Sequence, residues 1–347
     1  MEISEEKLVK LYYEKISTEY PKAIYYLDFV NLIIPYMYEL YYDFNIKKLV
    51  NNNNQLTIST EDIYDICIEV LKSINPKYSR FFKKCLFGGL IEYVSGELSW
   101  MDAEGLHIST HKVVSNKIEE ILILLHEFAH YNHLIYSGKE DLLGPDSWHI
   151  SETIAMIFEF YALFYMYNNG ILVDEVKKSF LRYIKYVYNR SNDIIAEALM
   201  LNIIDKYGDI SVPNVLDYAA IHNISDKYLS KISNYNYNRL ARFLVNDSNP
   251  KFNDKRYYED YRYIFGFPLS IYIANRMVNS DSYKGRFVEN FANIGEIDSD
   301  KFLKKMSAFQ IIEDHDCLEW ILGNVKSYTN HIITDGTINT KMIRFKR

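Results

Sequence analysis

The stretch LLHEFAHYNH, residues 124–133, sets two histidines and a glutamate within five positions of a segment that otherwise reads as an apolar helix. Residues four apart share one helical face, so His126 and His130 can present imidazole nitrogens to a single ion. Glu127, next to the first histidine, can hydrogen-bond a water held by that ion and act as its general base. Imidazoles at this spacing suit zinc, and a zinc that keeps an open position takes three protein ligands. The following segment, SETIAMIFEF, offers Glu152 near its start and Glu159 seven residues on, on the same face and in apolar surroundings. A carboxylate buried there needs a partner, because an unpaired charge in a core is costly. Gly138, Gly144 and Pro145 between the segments allow an antiparallel pair, which brings Glu152 to the histidines. The expected metal ligands are therefore His126, His130 and Glu152, holding one zinc ion per chain. Glu159 reads equally as an acceptor that orients a ligand and as a member of a buried ion pair. His133, one turn beyond His130, reads equally as a polar residue near the helix end and as one that faces substrate or supports a ligand. His149 competes with Glu152 for the third position, but a glutamate inside an apolar helix has the greater need of a metal. His107 and His111 precede the first helix and are candidates for lining a cleft.

The elements that must position these residues are mostly helical. The chain has 347 residues, of which only 13 are Gly and 7 are Pro, so it carries too little punctuation for many short strands. Apolar spacing of three and four runs through residues 4–49, with Pro21 and Pro35 marking helix boundaries or a kink. The polar run NNNNQLTIST is the clearest linker, and Ser59 or Thr60 can cap the helix that follows. Residues 88–112 carry Gly and alternating side chains and predict a small hairpin or extended segment. Helices are then expected over about 115–136, 151–168 up to Gly170, 172–188, 193–207 and 212–220. The fold class is mainly α with a small β element. An N-terminal helical segment and linker (1–60) precedes a catalytic region (61–347), and the two can form one body.

A net charge of -7 and the absence of a long Lys/Arg run exclude a general nucleic-acid binder and mildly favour cationic or neutral ligands. Three widely spaced cysteines fit a reducing compartment, and no basic-then-apolar leader opens the chain, so the expected location is the cytoplasm. The most apolar stretches are broken by Asp28, Pro35, Glu39 and Glu159, which argues against a membrane span.

Taken together, HEFAHYNH followed 26 positions after His126 by Glu152, and seven further by Glu159, resembles the oligoendopeptidase F and thimet oligopeptidase family of zinc metallopeptidases. The similarity extends to SINPKYSRFFKKCLFGGLIEYVSGELSWMDAEGLHIS, to YRYIFGFPLSIYIANRMV, which looks like the family's Y-x-Y-x-x-G-F helix, and to VENFANIGEIDSDKFLKKM. Ala129 stands where the family has glycine, Asn253 lies near the place of a family histidine, and most of the family's large N-terminal half has no counterpart. The resemblance implies a helical zinc-peptidase fold with a substrate cleft between helical subdomains, and hydrolysis of short peptides. It also implies a tyrosine that stabilises the oxyanion, with Tyr263 first and Tyr258 and Tyr261 behind it. Two other expectations stand beside this one: a dedicated processing peptidase for one larger substrate, and a zinc-binding, non-catalytic relative that serves as a binding or regulatory module. The sequence does not specify an oligomeric state.

Overall fold

Helices α1 (Glu5–Glu19), α2 (Pro21–Tyr25), α3 (Leu27–Asp43), α4 (Ile46–Val50), α5 (Thr60–Ile74) and α6 (Pro76–Phe87) lead into three short strands, β1 (Ile91–Val94), β2 (Trp100–Asp102) and β3 (Gly105–Ser109). Helices α7 (Lys117–Ser137), α8 (Trp148–Asn168), α9 (Val173–Tyr207), α10 (Val212–Ile221), α11 (Asp226–Ser233), α12 (Asn238–Val245) and α13 (Arg256–Asn279) follow. The chain ends in α14 (Asp281–Ala292), α15 (Ser299–Lys305), α16 (Gln310–Glu313) and α17 (His315–Thr334). This computed structural model describes residues 4–50, 58–95, 99–102, 104–109, 117–138, 148–222, 224–245, 256–296 and 298–334. The expected linker at 51–57 and the turn residues Gly144 and Pro145 lie outside them.

Local chemistry sets many of the boundaries. The Ser59 hydroxyl accepts from the Asp62 amide at 3.1 Å and caps α5, satisfying one of the orphan donors of a helix start. Asn75 does the same for α6 at 2.9 Å, with Pro76 at the first helical position, where its missing N–H costs nothing. Pro21 opens α2, as a boundary proline should, whereas Pro35 sits inside an uninterrupted α3. After Asn168, Gly170 takes a φ of 69°, and the Ile171 amide reaches back to the Met166 carbonyl at 2.8 Å. That left-handed residue ends α8 where the sequence predicts it. The break expected between 188 and 193 does not occur. Helix α9 runs for 35 residues without a Gly or Pro to stop it, and the Ser191 hydroxyl turns back onto the Val187 carbonyl at 2.9 Å.

The β element is richer than a hairpin. Strands β2 and β3 pair antiparallel, β1 pairs parallel with β3, and the order is β1-β3-β2. Asp102 Oδ1 ties the turn by accepting from the amides of Glu104 at 2.8 Å and Gly105 at 3.2 Å. A Cβ at Gly105 would lie 2.2 Å from the Leu90 carbonyl oxygen, with φ at +149°, so only glycine fits. One face of the sheet, with Leu106 and Ile108 fully buried, packs on α7, and the Tyr93 hydroxyl donates to Glu120 of that helix at 2.7 Å.

The chain forms two compact units, each assembled from two separate stretches: Met1–Glu39 with Tyr186–Phe265, and Leu40–Lys185 with Gly266–Arg347. The divisions fall within α3, α9 and α13. In the first unit, Tyr26 and Phe29 pack on Phe265, and the Tyr12 hydroxyl donates to Glu197. In the second, α8 is the central helix. It is mostly apolar and buried along nearly its whole length. Phe158 meets Tyr78, Phe287 and Phe291, and Phe160 meets Phe180, Tyr183 and Phe267.

Candidate metal centre

Helices α7 and α8 lie side by side within the second unit. Their contacts run in opposite directions, since His126 meets Glu159 while His130 meets Glu152, and this is the expected antiparallel pair. Phe128 locks α7 against Phe81 and Phe82 of α6, and Tyr131 stacks on Phe81 at 5.7 Å. Gly266 lets α13 approach α8 closely. A Cβ there would stand 2.8 Å from Thr153 Oγ1, next to Glu152 in the chain.

The predicted ligands converge. His126 Nε2 lies 3.0 Å from His130 Nε2 and 3.4 Å from Glu152 Oε2, and His130 Nε2 lies 3.7 Å from the same oxygen. Four ligands around a tetrahedral zinc with bonds near 2.05 Å stand about 3.3 Å apart. The three measured separations bracket that value. Behind the cluster, the His126 Nδ1–H donates a short hydrogen bond to Glu159 Oε1. This fixes the tautomer and turns the Nε2 lone pair towards Glu152 and His130. Both readings of Glu159, orienting a ligand and pairing with a buried charge, are compatible with this contact. His130 Nδ1 has no hydrogen-bond partner among the described residues.

The electrostatics point the same way. Burial disfavours a charged His126 ring, but the charge of Glu159 and the hydrogen bonds and charge of Glu152 outweigh it, and the pKa is held well above the usual histidine range. Two buried carboxylates thus call for positive charge at the point where the imidazole nitrogens meet. Two imidazoles and a carboxylate are a standard donor set for zinc, and these residues fit such an ion.

The other predicted residues are distributed as follows. Glu127 is buried on α7 beside His126. His133 is also buried, one turn from the end of α7 and edge-on to Phe291 at 6.2 Å. His149 is fully buried at the start of α8, and its carbonyl accepts from Thr153 Oγ1. His107 stands apart from the metal ligands, on β3, between Asp102 and Glu92. In the first unit, Tyr261 is fully buried, its hydroxyl donates to the Lys22 carbonyl at 3.2 Å, and its ring stacks on Phe265. Tyr263 is half-buried, edge-on to Tyr186 at 5.3 Å, with the Arg190 guanidinium 5.3 Å from its ring centre. The side chain of Tyr258, and His111 and Asn253 altogether, lie outside the described residues. Sequence reasoning missed the contact of Gly266 with Thr153, for which a glycine inside an apolar helical pattern is a usable signal.

No family model and no curated protein sequence matches the chain. Among solved structures, its fold is similar to that of PZ peptidase A with inhibitor 2, with a TM-score of 0.52 over 95% of this chain at 10% identity. It is similar also to a Bacillus anthracis str. Ames protein assigned as an oligoendopeptidase F, with a TM-score of 0.50 over 98% of this chain at 13% identity. The chain spans 59% and 58% of the lengths of those two chains. The mainly helical fold expected from the sequence is thus the fold observed. Among the described residues, no helix is long and apolar enough to cross a membrane.

Proposed function

We propose that the chain is a zinc-dependent metallopeptidase that hydrolyses short peptides. The observation that carries this reading is the convergence of His126, His130 and Glu152 at zinc-ligand spacing, with Glu159 fixing His126 from behind. The fold shared with two peptidases supports it. His126 and His130 would hold the ion through Nε2 and Glu152 through Oε2. When bound, zinc lowers the pKa of a coordinated water towards neutrality and polarises the substrate carbonyl. Glu127 then takes a proton from the attacking water on a carboxylate oxygen, as a C–O bond forms at the peptide carbonyl. It returns that proton to the amide nitrogen as the C–N bond breaks, so a carboxylate and an amine leave. Burial of Glu127 in α7 keeps it from exchanging this proton freely with solvent. The resemblance assigns stabilisation of the oxyanion to a tyrosine, Tyr263 first and Tyr258 and Tyr261 behind it. Three free thiols fit action in a reducing compartment, the cytoplasm, and the acidic chain fits a peptide substrate better than a nucleic acid.

The test is Glu127→Gln. The variant keeps stoichiometric zinc by elemental analysis, and its cleavage of a short fluorogenic peptide falls by about 10²- to 10⁴-fold. Cleavage at the wild-type rate with zinc retained would rule the mechanism out.

A further inference from the structure

Helix α7 is closed on every side but one. From Ile118 to Leu134 each of its residues is buried except Glu119, Ile123, His126 and His130. Steps of four, three and four place these residues on one helical face, so the line of α7 that reaches solvent is the line that carries two of the candidate metal ligands. Outward from His126, one turn gives the apolar Ile123 and a second gives Glu119, roughly 10 Å along the axis. There the line meets a cation. Arg182 of α9, in the same compact unit, brings Nη1 to 3.4 Å from Glu119 Oε1, and this buried nitrogen makes no hydrogen bond. The Arg182 side chain as a whole keeps 19% of its surface open. Lys178 and Lys185, one turn to either side of it, are half-buried and add two cations to that face of α9, and Lys178 engages Glu175 at 2.6 Å.

A guanidinium is a planar fork of N–H donors that matches a carboxylate with two parallel hydrogen bonds. Glu119 holds this fork from one side without a hydrogen bond at Nη1, which leaves its donors for a second acceptor. The lysines on either side make the place attractive to an anion. A ligand that follows the open line therefore has its reacting group at the histidines, an apolar side chain over Ile123 and a negative charge roughly 10 Å from the first. An extended peptide covers that distance in about three residues, and its C terminus carries such a charge.

We infer that the open line of α7 is a track for the C-terminal part of a peptide, and that Arg182, positioned by Glu119, binds the terminal carboxylate. This deepens the peptidase reading and rests on it, but binding tests it separately. An N-terminally labelled oligoalanine with a free C terminus and the same peptide as its amide are titrated into the zinc-loaded Glu127→Gln chain and followed by anisotropy. The free acid binds about tenfold tighter. Arg182→Gln removes that difference by weakening the acid alone, Arg182→Lys keeps part of it, and zinc content stays the same in both. The wild-type chain releases a C-terminal fragment of about three residues, read by mass spectrometry, whatever the length of the peptide. Equal affinity for acid and amide, a difference that survives Arg182→Gln, or C-terminal fragments of no fixed length overturns the inference. Acid-selective binding that depends on Arg182, without cleavage of either peptide, contradicts the peptidase reading and leaves the carboxylate site standing.

Discussion

Two polar clusters sit on long helices of this chain, and their charges are arranged in different ways. In the first unit, Arg190 of α9 forms an ion pair with the fully buried Asp260 of α13, and its guanidinium lies over the rings of Tyr186 at 4.9 Å and Tyr263 at 5.3 Å. Burial acts against that charge, but Tyr186, Asp260 and Tyr263 outweigh it and raise the Arg190 pKa. Cation, anion and aromatic faces close on one another, and nothing further is needed. In the second unit, His126, His130 and Glu152 aim two imidazole nitrogens and a carboxylate oxygen at one point, with a second carboxylate behind them. Three ligand atoms gather there within reach of a single metal ion. The difference teaches how to tell a structural polar cluster from a candidate site: the first balances its own charge, and the second gathers the ligand atoms of a metal at one point.

Substitutions can break or sharpen this contrast. The largest effect is expected at the self-balanced pair. Arg190→Ala leaves Asp260 buried without its guanidinium and should cost about 3 kcal/mol in denaturant unfolding. Zinc content should not change, and a loss of zinc would show that the two clusters are not independent. Glu159→Gln, which keeps the shape but removes the charge that orients His126, should weaken zinc binding by about 10- to 100-fold in competition with a chelator. An unchanged affinity would return Glu159 to a plain ion-pair role. The smallest effect belongs to Gly266→Ala. Its added methyl presses on Thr153 and should cost about 1 to 2 kcal/mol, with some loss of zinc affinity through the neighbouring Glu152. A neutral outcome would mean that α8 can shift without disturbing the ligands.

Much of the candidate metal centre is legible in the sequence because its geometry is local. The spacing of His126 and His130 is one helical turn, and the apolar setting of Glu152 and Glu159 announces buried carboxylates that need a reason. The equal standing of the two readings of Glu159 could not be resolved from spacing, since it depends on which way one imidazole turns. Tyrosines were harder still. Among 32 of them, Tyr261 and Tyr263 are two residues apart, and only the packing around them shows that Tyr261 gives its hydroxyl to a backbone carbonyl. The continuity of α9 and the division into units of two stretches each also escaped, because both depend on contacts between residues far apart in the chain. The three-stranded sheet was visible only as Gly and alternation, and the parallel pairing of β1 with β3 has no local signature.

The central claim is that His126, His130 and Glu152 hold one zinc ion. The most direct measurement is X-ray absorption at the zinc edge on the purified, zinc-saturated chain, with metal content measured in parallel. The account predicts one zinc per chain, with two imidazole nitrogens and a carboxylate oxygen at about 2.0–2.2 Å. It also predicts that a variant with His126→Ala and Glu152→Ala holds none. Zinc far below stoichiometry in the wild-type chain, or zinc retained by that variant with the same ligand shell, would contradict it.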